Sequence, residues 1–205
     1  MHIKLLDKFF KENRVANEKL PSAAALCHFT IKMLLNQELN EKTSKLINEF
    51  VFMDQKMREE TVMAEKSEIE SADDELVIRL MRRGVDMINQ DELIFRALEF
   101  EDIVVPEVIK RLKTSMNDIF IETAGRLLSI CSMDIAEELI DHFNDFRSPY
   151  AQSVVLLTLG FKADEIHIPW LIDKYHHMKR LYPNETFSDG AYYALYEIET
   201  RLYAN

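Results

Sequence analysis

A chain of 205 residues with 47% apolar and 10% aromatic residues can fill a continuous core, while only four Gly and five Pro favour helices over loops or fibres. Its net charge of −11 excludes a general phosphate-binding surface, because nucleic-acid affinity depends on clustered Lys and Arg. The two cysteines, Cys27 and Cys131, lack any CxxC spacing, so neither a disulfide framework nor a zinc site is expected.

The first segment carries Ile3, Leu6, Phe9 and Phe10 at helical spacing and stops near Asn13 to Asn17. No signal-peptide order and no membrane-length apolar run occurs, so a cytoplasmic protein without membrane contact is expected. Pro21 and Ser22 then open an Ala-rich helix expected to bury Ala25, Phe29, Met33 and Leu26. Leu46, Phe50, Met53 and Met57 predict a third helix from about Glu41 into the Glu59 to Lys66 region.

Charge is uneven beyond this point. Residues 54–75 hold nine acids against Lys56, Arg58 and Lys66, a net of −6. The stretch EKSEIESADDE reads either as a solvated helix end or as an electrostatic docking patch for a basic partner. It also marks an expected boundary between an N-terminal segment of about three helices (1–72) and a second region (73–205), the two packing as one continuous unit.

The second region repeats. VPEVIKRL begins at Val105, AEELIDHF follows 31 residues later at Ala136, and IPWLIDKY follows 32 residues after that at Ile168. In register, Val108, Leu139 and Leu171 form one apolar column, Ile109, Ile140 and Ile172 a second, and Leu112, Phe143 and Tyr175 a third. Each copy precedes another amphipathic segment that opens on Asn117, Ser148 or Ser188, residues suited to capping free backbone amides. An earlier pair, DDELVIRLMRRGVDMI with DELIFRALEFED, fits the same scheme. A two-helix unit of this length cannot bury its own apolar face, and stacked copies can.

With Pro106 and Pro169 ahead of Val108-Ile109 and Leu171-Ile172, the region from Asp73 to Tyr203 resembles HEAT-like or armadillo-type repeats. The middle copy has Glu137 in place of Pro. The resemblance implies an all-α, right-handed superhelix of about four helix pairs with the N-terminal helices packed on it. It further implies a concave face lined by second helices, and no catalytic residues.

Candidate sites follow from positions the apolar stripes leave open. Arg96, Glu122, Arg126, Gln152, Tyr193 and Glu197 would line the concave face: four for charge matching, Gln152 for hydrogen bonding, Tyr193 as an aromatic anchor. Glu138, His142 and Asp145 share one helical face at metal-ligand spacing, but no second helix completes a ligand shell, so a solvated face is expected. His28 and His167 read as packed or capping residues. All seven Tyr lie from Tyr150 onward, and Tyr192, Tyr193, Tyr196 and Tyr203 cluster on the last helix as either a binding surface or an end cap.

No Gly-rich phosphate loop, GxSxG or HExxH occurs. The expected function is a non-enzymatic interaction module without cofactor, binding a protein partner whose matching charge is basic. An acidic inhibitor or immunity-type protein that neutralises a basic toxin or nuclease is the specific alternative. A metal-dependent or DNA-repair HEAT-like enzyme is the rival class, disfavoured by charge.

Overall fold

The computed structural model describes residues 2–13, 22–35 and 59–203. All regular elements among them are helical, with no strand, as the scarcity of Gly and Pro predicts. The α-helices are α1 (His2–Glu12), α2 (Ala23–Leu34), α3 (Glu59–Glu70), α4 (Asp74–Arg83), α5 (Gln90–Leu98), α6 (Glu101–Leu112), α7 (Asp118–Ile130), α8 (Ala136–Asp141), α9 (Pro149–Lys162), α10 (Ile168–Leu181) and α11 (Asp189–Tyr203). Leu46, Phe50, Met53 and Met57 lie outside the described residues.

The chain divides into two compact units, one formed by Phe29–Met133 and the other by Met1–His28 with Asp134–Asn205. The break expected between 72 and 73 falls inside the first of these.

Within the Phe29–Met133 unit, α7 is the central element and packs against α4, α5 and α6. Its apolar positions, Phe120, Ile121, Ala124, Leu127 and Leu128, form one helical stripe and are all buried. Burial of each such large side chain stabilises the fold by about 1.5–3 kcal/mol. Asn117 caps α7 as expected, its Oδ1 accepting the Phe120 amide at 3.1 Å, and Asp73 Oδ1 accepts the Leu76 amide at 2.8 Å at the start of α4. Asp74 and Glu75 in the first turn of α4, with Arg82 and Arg83 in its last, complement the helix dipole.

Pro106 does not open its helix. The helix α6 starts at Glu101, and Pro106 sits inside it on an exposed face, whereas Pro169 does stand in the first turn of α10. The two prolines are therefore not structurally equivalent. Nor are the first helices of equal length: α6 has 12 residues, α8 only six before a 3-10 turn at Phe143–Asp145, and α10 has 14. The first and third columns are buried in every copy, but of the middle column only Ile109 is buried, with Ile140 and Ile172 half-exposed.

The second unit is organised around α9, which is buried on nearly every side from Ala151 to Gly160 and packs most closely with α11. Ser148 caps it, accepting the Ala151 amide at 3.3 Å. The approach is set by two glycines. A methyl group at Gly190 would lie 1.9 Å from the Ser153 carbonyl oxygen, and one at Gly160 would lie 2.6 Å from Ala194 Cα.

The helix α2 turns only part of the expected face inward, with Ala25 buried as expected. Ala24, Ala25, Cys27, His28, Ile31 and Leu34 are buried, while Leu26 and Met33 are exposed and Phe29 is half-buried. Rotation toward the small residues brings His28 to 3.0 Å from Glu197, which gives a buried imidazole its partner.

Gly190→Ala places a methyl group against backbone that cannot retreat, so it should cost about 3 kcal/mol, the upper end of overpacking penalties. A urea denaturation midpoint close to wild type would show that α9 and α11 can separate freely.

Candidate functional site

Four positions on α7, Ile119, Glu122, Thr123 and Arg126, repeat at spacings of three, one and three, opposite the buried stripe. They form one wall of a groove of about 460 Å³. The other walls are Thr61 and Glu65 from α3 and the connection from Arg83 to Gln90.

Hydrogen bonds hold these walls in place. Asn117 Nδ2 donates to the Arg82 carbonyl at 2.8 Å, tying the start of α7 to the end of α4. Glu65 Oε2 accepts the Asp86 amide at 2.8 Å and Asn89 Nδ2 at 3.3 Å, and Asn89 Nδ2 also donates to the Val62 carbonyl at 2.9 Å. Asn89 is buried, so α3 and the connection are joined through a fully enclosed amide.

Three carboxylates, Glu65, Asp86 and Glu122, line the groove against two guanidinium groups, Arg83 and Arg126. Arg83 is already held by both oxygens of Glu68, at 3.2 and 2.9 Å, and this ion pair pushes its pKa above the ordinary value. Arg126 donates through Nη1 to Gln90 Oε1, while its Nε is enclosed with no acceptor among the described residues. The groove thus keeps a negative balance around one immobilised guanidinium. Asp91 retains exposed surface, but the protein packed around its inner side raises its carboxyl pKa, against the lowering effect of the Arg126 charge.

Of the six positions expected on one face, the structure brings Glu122 and Arg126 together. Arg96 lies in the same unit but is engaged internally: Nε and Nη2 donate to the Ala72 carbonyl at 2.9 and 2.6 Å, and Nη1 pairs with Glu99. Its guanidinium also rests 4.8 Å above the Phe100 ring. Gln152 belongs to the other unit and donates to the Phe146 carbonyl at 2.8 Å.

Tyr193 and Glu197 both meet His28 of α2. Tyr193 is half-buried and stacks on His28 at 5.3 Å, while Glu197, expected to face outward, is 2% exposed and bound to His28. The apolar stripe of α11, Ala191, Ala194, Leu195 and Ile198, is widened by α2, which covers the position that periodicity leaves open. His167 serves as the cap reading predicts: its Nδ1 accepts the Asp164 amide at 3.1 Å, and its Nε2 lies 2.9 Å from Glu137.

His142 Nδ1 lies 2.8 Å from Asp145 on an exposed turn. Among the described residues no three His, Cys, Asp or Glu side chains gather in a way that could hold a metal ion. The acidic segment is partly spent on structure, with Asp73 capping α4, Glu68 holding Arg83, and Lys66 bridging Glu70 and Glu92. No helix among the described residues is long and apolar enough to cross a membrane. Comparison with known proteins finds no match among family models, curated proteins or solved structures.

Periodicity could find Glu122 and Arg126 because both sit on a regular helix. It could not find Glu65 on α3, Asp86 in the connection or Gln90 at the start of α5, which only tertiary hydrogen bonds bring to the groove.

Two stability experiments follow. The Asp91 carboxyl has a higher pKa in the folded than in the unfolded chain, so its protonated form favours folding and its ionised form opposes it. Wild type should therefore lose stability relative to Asp91→Asn as pH rises through about 4 and beyond. Urea titrations from acid to neutral pH read this difference, and a constant offset refutes it. Glu197→Leu removes the acceptor from a buried imidazole and should cost about 2 kcal/mol or more, with the double variant carrying His28→Leu recovering part of that loss. Simple additivity in the double-mutant cycle would show no coupling between them.

Proposed function

We propose that this chain is a non-enzymatic interaction module of the HEAT-like helical-repeat kind, and that the groove beside α7 receives a protein partner. The observation that carries the reading is the convergence of Glu65, Asp86 and Glu122 around Arg126 in one groove of about 460 Å³. Such a groove suits an extended segment. A basic side chain of the segment meets the carboxylates, a neighbouring apolar side chain lies against the half-exposed Ile119, and Arg126 selects for an acceptor beside them.

The net charge of −11 supports a basic partner, since a field of one sign speeds encounter and disfavours acidic competitors. A basic toxin or nuclease is the narrower class with that chemistry, and an acidic chain that covers its cationic surface would act as its inhibitor. The buried apolar columns supply rigidity, which keeps the groove's charges in register without an ordering cost at each encounter.

Affinity capture with wild type and with a Glu122→Lys, Arg126→Glu variant tests the groove. Proteins retained by wild type at low salt should be lost from the variant and weakened on wild type by raised salt. Undiminished capture by a variant with wild-type helicity would place the partner elsewhere.

A further inference from the structure

In the unit containing α9, α10 and α11, the helix α1 is an anomaly. It has 11 residues, of which only Leu6 and Phe9 are buried. Phe9 meets Tyr175 edge-on at 4.9 Å and lies 6.1 Å from Tyr192, while Phe10 meets Tyr192 at 5.4 Å and Tyr196 at 6.5 Å. The seat is thus an aromatic cleft formed by α10 and α11, both of which pack against α1.

Little else secures α1. Its one hydrogen bond to another described element is from His2 Nδ1 to the Glu165 carbonyl, at 2.7 Å. Ile3 and Leu5 remain exposed. Burial of two large side chains is set against the ordering of a whole helix, and a helix this short is marginal once it leaves its seat.

Charge makes the fit worse. Glu199, on α11, has its carboxyl pKa raised first by burial and then by the like charge of Asp7. The seat is therefore better suited to a helix that lacks an acid at that position.

We propose that the cleft between α10 and α11 is a helix-binding groove which α1 fills in cis, and which a partner's amphipathic helix takes in its place. That helix carries large apolar side chains where α1 has Leu6, Phe9 and Phe10, and Lys or Arg where α1 has Asp7. Recognition follows the helix-in-groove mode, with anchors at spacings of three and four residues. The outgoing α1 is an intramolecular competitor that sets a threshold for binding. This surface is separate from the groove beside α7, and either could exist without the other.

The test uses the full chain and labelled peptides spanning His2 to Asn13, one native and one with Asp7→Lys. Fluorescence anisotropy should show both peptides binding to a Leu6→Ala, Phe9→Ala variant, whose own α1 cannot dock. Wild type should bind them at least about tenfold more weakly, since its own α1 competes. The Asp7→Lys peptide should bind about threefold more tightly than the native one. Absence of binding to a variant that keeps its helicity overturns the proposal, as does equal affinity for wild type and variant; an Asp7→Lys peptide with no advantage overturns the assignment of a basic residue. Hydrogen exchange on the unmodified chain stands apart from any folding defect. Amides of α1 should exchange much faster than those of α11, and equal protection would show that α1 is a fixed part of the unit.

Discussion

In the unit that carries α9 to α11, one steric constraint governs the rest: two helices meet at backbone distance through Gly160 and Gly190. Because neither residue has a side chain, Ala194 and the Ser153 carbonyl occupy space that any other residue would claim. The contact draws α11 onto α9 and leaves α9 buried nearly all round. With that side of α11 committed, its remaining surface meets α10, α1 and the start of α2. The aromatic cleft and the buried His28 and Glu197 pair both follow from where this places α11.

Polar groups are deployed differently in the two units. Around α9 and α11 they are enclosed and paired, as with His28 and Glu197, where an unmatched charge would be costly. Around α7 they line open space, and the connection between α4 and α5 is held by Glu65 and the buried Asn89. A carboxylate that accepts a backbone amide is fixed in direction, as Glu65 and Asp86 are. Preorganisation of this kind lowers the ordering cost of recognition, which is what the proposed binding of a basic segment would require.

What could be read from the sequence depended on how local the cause was. Asn117 and Ser148 are caps that the sequence suggests because a side-chain oxygen reaches an amide three residues on, a geometry contained within one turn. The outer columns of the repeated first helices are buried because helical spacing decides them. Spacing from the apolar columns does not fix where a helix begins: Pro106, on an exposed face, rides inside a helix whose other contacts hold it, whereas Pro169 stands in a first turn. The inward face of α2 departs from its apolar spacing because His28, packed as expected, is held by a carboxylate 169 residues away.

The sequence by itself determined that the described residues are helical, that the chain is acidic, that Asn117 and Ser148 are caps, and that Glu122 and Arg126 share an open helical face. These depend on composition and on periods of three to four residues. Only the tertiary structure decided that Glu65, Asp86 and Gln90 join that face, that Glu197 is enclosed, and that Phe9 of α1 lies on Tyr175. Each of these is a meeting of side chains from distant segments, set by steric fit and hydrogen-bond satisfaction, which a local pattern does not encode.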